Sequence, residues 1–311
     1  MTSRVLFVPI SVETAPIVIA LQALADAHGR SLSILDQRVG DDLLLEQTAD
    51  LVVIKQIDHK AFDPSRHNVT VVLPEGSEAF VKDVASRHPD MPRSWWLIHA
   101  SEGIATCMWL IEMGAMAVAA DSFTIDGAAL PLATTGRLGE AAELALYRDL
   151  QSRVHRPYDV TKQTLANSTN YRPGTVGWHD LSGRAAHVIS GPLFFLPRGN
   201  WKVDLDFDID CDGGHIRLFF EWGAPSGYRN NFESVIKESG NYAVTLETDF
   251  ERPDAAHCLI ATNASHLQGR LRLNHCVITR LDKPAGAAIP NWDAACARGG
   301  PPASRSSLAA R

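Results

Sequence analysis

The chain has 311 residues, 45% hydrophobic and 21% charged, with a formal charge of −7. That length suits two domains of ordinary globular composition and excludes a largely disordered protein. About 20 acids face about 11 bases up to residue 150, an excess that argues against nucleic acid as a partner of this half.

Met1-Thr2-Ser3-Arg4 runs directly into the apolar Val5–Ile10 without the ordered regions of a secretion signal. The longest apolar stretch, Ile104–Ala120, contains Glu112 and falls short of the roughly 20 residues of a membrane span. The five cysteines are widely spaced, with no C-x-x-C pair. Together these features predict a cytoplasmic protein without a membrane span, a metal or another cofactor.

Arg4–Ile10 reads as a first strand. Pro16 suits a first helical turn, and Ile17, Ala20, Leu21 and Leu24 recur at helical spacing until His28-Gly29. Ser31–Leu35, Leu51–Lys55 and Val69–Leu73 read as buried strands, with a short helix at Leu43–Glu46. A helix over Glu75–His88, a strand over Trp95–His99, a helix over Gly103–Met113 and a strand over Met116–Ala120 follow. Leu138–Arg153 reads as a closing helix. The β-α-β order predicts a Rossmann-like, doubly wound parallel sheet over 1–153.

Periodicity lapses over 154–174, which reads as a linker. Beyond it, Trp201–Ile209 and Gly269–Leu273 alternate strictly. Further runs at Ala185–Ser190, Ile216–Trp222, Tyr242–Leu246, Cys258–Ala261 and Cys276–Leu281 give about seven strands, the count of an antiparallel, jelly-roll-like β-sandwich over 175–282. The tail over 283–311, rich in Ala, Gly, Pro, Ser and Arg, reads as disordered.

Five places invite functional readings. The loop Ser11-Val12-Glu13-Thr14 follows the first strand, where doubly wound sheets hold ligands, but has no glycines to cradle a phosphate; Thr14 also reads as a helix cap. Asp208-Ile209-Asp210-Cys211-Asp212-Gly213 opens like a calcium loop and then places Phe219 where a bidentate Glu belongs. It reads instead as a solvated acidic strand ending in an Asp-Gly hairpin turn. Trp222, Tyr228, Arg229, Asn230 and Asn231 combine rings with directional donors, as sugar recognition requires, and Trp178 with His179-Asp180 is a second such group. Rings beside loops also serve as core. His99, Ser101 and Glu102 lack the G-x-S-x-G elbow of a hydrolase.

The stretch His187–Val203, with a Gly-Pro and aromatic entry, a Leu-Pro-x-Gly turn and an aromatic-led alternating strand, resembles β-sandwich modules of bacterial exopolysaccharide-synthesis proteins, as does Arg270–Leu281. Ile98–Gly103 followed by Leu110–Ser122 resembles the donor-side half of retaining GT-B glycosyltransferases. That likeness implies Glu102 and Glu112 as an acidic pair at a nucleotide sugar. A single α/β half implies a glycosyltransferase-like protein that need not be catalytic, with a glycan- or partner-binding sandwich. An assembly protein or homo-oligomer making only protein contacts is the alternative.

Overall fold

The computed structural model describes residues 4–9, 14–73, 76–119, 124–125, 128–129, 141–147, 156–163, 165–166, 177–225 and 229–281. The first part is a five-stranded parallel sheet of β1 (Arg4–Phe7), β2 (Leu32–Val39), β3 (Leu51–Ile57), β4 (Asn68–Leu73) and β5 (Met116–Ala119), in the order β2-β3-β1-β4-β5. The parallel sheet is as expected. Its strand order differs from the 3-2-1-4 order of a Rossmann sheet, because β3 sits between β2 and β1.

Both faces of this sheet are covered, which is why its strands are continuous apolar runs. Leu6, Val8, Leu51, Val53 and Val72 meet Ala20, Leu21 and Ala25 of α1 (Thr14–Ala27) on one face. Val5, Phe7, Val52, Ile54, Val71 and Leu73 share the opposite core with α3 (Ser77–Arg87) and α4 (Arg93–Glu112). The short α2 (Asp41–Leu45) links β2 and β3.

The strand expected at Trp95–His99 is absent. It forms one 20-residue helix, α4, with the helix expected at Gly103–Met113. Trp95-Trp96-Leu97-Ile98 is apolar without alternation, a pattern that a buried strand and a helix covered on several sides share. The helix ends in a Schellman pair, Ala115 N–H to Leu110 O and Gly114 N–H to Ile111 O. Of the helix expected at Leu138–Arg153, the described part is a 3₁₀ turn, Ala142–Leu144, running into helix at 145–147. The short strands β6 (Thr124–Ile125) and β7 (Ala128–Ala129) pair with each other.

The second part is a sandwich of antiparallel sheets. The front sheet runs β10 (His179–Asp180), β17 (Arg270–Arg280), β12 (Gly199–Asp210), β15 (Gly240–Phe250), with β8 (Tyr158–Asp159) also on β17. The back sheet runs β14 (Arg229–Ile236), β13 (Ile216–Gly223), β16 (Asp254–Thr262), β11 (Ala186–Leu196), β9 (Leu165–Ala166). The two runs expected at Gly269–Leu273 and Cys276–Leu281 are one strand, β17, interrupted by a bulge at Asn274. The stretch expected as a linker supplies β8 and β9; residues 167–176 and 282–311, the tail, lie outside the described residues.

Asp212 and Gly213 both have positive φ, 47° and 79°, and Gly214 N–H bonds Cys211 O, the geometry of a type I′ turn. The expected Asp-Gly turn is present, but it joins β12 of the front sheet to β13 of the back sheet and so makes a corner, not a hairpin. The four described cysteines are free and buried. No helix among the described residues is long and apolar enough to cross a membrane.

The two parts share one hydrophobic core, which runs from the sheet through α4 into Phe194, Trp201 and Phe220. Polar contacts stitch the junction. Ser101 Oγ accepts from Phe195 N–H at 2.9 Å, and Tyr147 Oη donates to Phe195 O at 2.6 Å. Arg252 donates to His59 O at 2.6 Å.

Candidate functional site

Alternation along β12 sends Trp201, Val203, Leu205, Phe207 and Ile209 inward and the aspartates between them outward. The outward row is paired across strands. Asp210 bonds Arg270 and Asp208 bonds Arg272, each at 2.5 Å, and both pairs are direct partners in the ladder. Asp206 accepts from Asn274 at 2.8 Å and Asn241 at 3.0 Å, and Asp204 accepts from Thr245 at 2.7 Å. The expected solvated acidic face is therefore a hydrogen-bonded lattice drawn from three strands. Bonds from Asn274, Arg272 and Arg270 hold the carboxyls of Asp206, Asp208 and Asp210, respectively, below the usual range.

Trp178, 41% exposed, lies against this lattice, with the guanidinium carbons of Arg270 and Arg272 each 5.2 Å from its ring centre. One partly exposed ring thus stands beside fixed donors and acceptors. Trp178 was legible as a candidate. Arg270 and Arg272, which flank the ring, and Asn241 and Asn274, which bond the acidic row, were not, because they come from strands far apart in sequence. Among the described residues no group of three or more His, Cys, Asp or Glu is arranged to hold a metal ion.

The other expected sugar group divides differently. Trp222 is fully buried between the sheets, its Nε1 donating to Trp201 O at 3.1 Å, so it is a core ring and not a stacking platform. Residues 229–231, expected in a loop, begin the edge strand β14. Asn230 donates to Glu247 O at 3.0 Å, and its neighbour Asn231 is exposed. Tyr228 lies outside the described residues, as does the side chain of Arg229.

At the carboxyl ends of β1 and β3, a small open cleft is lined by the apolar Phe7, Ile57 and Phe80 and the polar Lys55, His99 and Glu102. His99 and Glu102 stand three residues apart on α4 and share a flank. Burial pushes the Glu102 carboxyl up against the pull of Arg38, whose Nη2 is 2.7 Å away. Burial likewise pushes the His99 imidazole down. Lys55 is paired with Asp36. A Cβ at Gly103 would lie 3.0 Å from the Phe80 ring, tighter than ordinary contact, so glycine here eases the close approach of α3. Of the expected first-strand loop, Thr14 starts α1, while Ser11, Glu13 and the Thr14 side chain lie outside the described residues.

Glu102 and Glu112 do not form the acidic pair that the sequence resemblance implies. They are about 15 Å apart along the helix axis, and Glu112 is held at 2.9 Å by Arg280 of β17. Ser101 is no nucleophile: its hydroxyl donates to Ile98 O while accepting from Phe195.

No family model matches the chain, and no curated protein is a significant relative. Among solved structures, a carbohydrate-binding module in complex with β-1,4-galactotriose shares 10% identity at a TM-score of 0.27, covering 41% of this chain and 88% of its own. A module of a multidomain xylanase from the hindgut metagenome of Trinervitermes trinervoides shares 12% identity at a TM-score of 0.27, covering 41% and 98%. A third carbohydrate-binding module shares 12% at 0.24, covering 38% and 88%. Overlaps of this extent bear on neither ligand nor mechanism.

Proposed function

We propose that this is a glycan-binding protein whose recognition surface is the outer face of the front sheet, centred on Trp178. The observation that carries the reading is the exposed Trp178 ring beside Arg270 and Arg272 and the ordered row Asp206, Asp208 and Asp210. A sugar presents C–H patches that stack on a ring and hydroxyls that need fixed partners, and this face offers both. Because Arg270 and Arg272 are already paired with carboxylates, the face suits a neutral chain better than an acidic one. A setting in bacterial polysaccharide synthesis, with a glycosyltransferase-like α/β part that need not be catalytic, rests on the sequence resemblance alone. So does a cytoplasmic location on the sequence features.

The test is a glycan array probed with the full chain, followed by calorimetry on the tightest neutral hit. Replacing Trp178 with Ala should weaken binding by roughly 1–3 kcal/mol. Unchanged affinity in that variant removes the outer face from the reading.

The alternative, a protein that makes only protein contacts, draws support from β14. Among the described residues this strand has β13 as its one ladder partner, and it leaves Phe232 and Val235 exposed, 37% and 47%. An exposed edge with apolar side chains is a template for strand pairing. No array hit together with a concentration-dependent dimer would favour it.

A further inference from the structure

We infer that Cys258 and Cys276 form a disulfide site, two thiols from facing sheets of the sandwich placed to be joined through its core when the chain folds under oxidising conditions. The inference stands on strand register and burial and does not depend on the Trp178 face.

Cys276 lies on β17 of the front sheet, opposite Leu205 of β12. Cys258 lies on β16 of the back sheet, between Gly191 of β11 and Trp222 of β13. Alternation turns both side chains into the space between the sheets, where Cys276 is 0% and Cys258 1% exposed. There the Cys276 thiol hydrogen-bonds to Cys258. That bond, together with burial, pushes the Cys276 thiol up, so the folded pair is protonated and sheltered from reagents. The other described cysteines lie elsewhere. Cys211 adjoins the Asp210–Arg270 rung, about 20 Å along β17 from Cys276, and Cys107 is on α4, outside the sandwich. The bond therefore forms as the chain folds. With glutathione disulfide as oxidant, one cysteine thiolate of the open chain attacks a glutathione sulfur and releases one glutathione thiolate. Folding brings the second cysteine to the mixed disulfide, where it forms the Sγ–Sγ bond and releases the other. Each protein thiol gives up its proton, and the two glutathione thiolates take up two, so two thiols are oxidised as one glutathione disulfide is reduced. Closing the 258–276 loop constrains the unfolded chain and so stabilises the fold. In a reducing compartment the pair stays as two thiols.

The experiment unfolds the full chain in urea and refolds it over a range of ratios of reduced to oxidised glutathione. The product is alkylated, digested without reduction and mapped by mass spectrometry. A linked peptide pair holding Cys258 and Cys276 is expected once the buffer is oxidising. The oxidised chain should melt about 5 °C above the same chain refolded in dithiothreitol, and Cys258→Ala should abolish both the link and the difference. Cys258 and Cys276 that remain thiols at every ratio overturn the inference. So does a link from either of them to Cys107, Cys211 or Cys296, or a linked chain that melts no higher than the reduced one. The mapping is made on the unchanged chain, so a Cys258→Ala variant that fails to fold leaves the test decisive.

Discussion

Arg280, in the last strand of the sandwich, reaches across to Glu112, in the last turn of α4, at 2.9 Å, with the two side chains only 2% and 8% exposed. The guanidinium also donates to Arg198 O at 2.6 Å and lies 5.9 Å from the Trp201 ring centre. Breaking a buried pair strands the surviving charge. Glu112→Ala should therefore cost about 3–5 kcal/mol, and the double change Glu112→Leu with Arg280→Met should recover part of it. Urea unfolding of Glu112→Leu, Arg280→Met and the double variant measures the coupling. Equal, additive losses would show that the pair is not coupled.

The same junction bears on whether the halves stand alone. The shared core and the bonds of Ser101, Tyr147 and Arg280 make α4 an interior helix of the whole molecule. A fragment of residues 1–153 should be molten or insoluble, binding ANS and lacking near-UV ellipticity. The intact chain should unfold in one transition. Two fragments that each melt cooperatively would instead support the linker division that composition suggests.

Trp222 and Trp178 should part company in stability. Trp222→Ala empties a fully buried site and should cost about 3–5 kcal/mol, whereas Trp178→Ala should shift the melting temperature little. Thermal melts of both variants decide it, and a tolerated Trp222→Ala would contradict the core assignment.

His59 predicts a pH dependence. Burial, with a smaller push from Arg38, lowers its imidazole to about 4. The Thr106 hydroxyl gives its one proton to Glu102 O, which leaves His59 Nε2 as the donor in their 2.7 Å bond, and the lowered value keeps the ring neutral at pH 7. Because the folded value lies below the unfolded value near 6.5, the unfolded chain binds the extra proton between them. This contribution is complete above pH 6.5 and is lost as pH falls toward 4, on the order of 3 kcal/mol in all. Urea midpoints measured from pH 7.5 to 4.5 should fall, and His59→Gln should flatten that fall. An unchanged slope in the variant would place the dependence elsewhere.

Much of the architecture was legible in local pattern. Apolar runs that end at Asp, Pro or Gly marked β2, β3 and β4, and the strict alternation of Trp201–Ile209 marked β12 and its buried face, because a period of two places alternate side chains on opposite sides of a sheet. The acidic row, the Asp-Gly turn and the candidacy of Trp178 could be read in the same way. Tertiary structure decided what local pattern leaves degenerate. Trp95–His99 is helix because α4 is covered by a sheet on one side and a sandwich on the other, which erases the amphipathic signature. Trp222 is core and Trp178 is surface, although each is a tryptophan near a loop, because a ring's exposure depends on what packs over it. The partners of the aspartates come from β15 and β17, and those of Glu102 and Glu112 from β2 and β17. Such pairings between distant residues are set by strand register and helix docking, which no window of neighbouring residues contains.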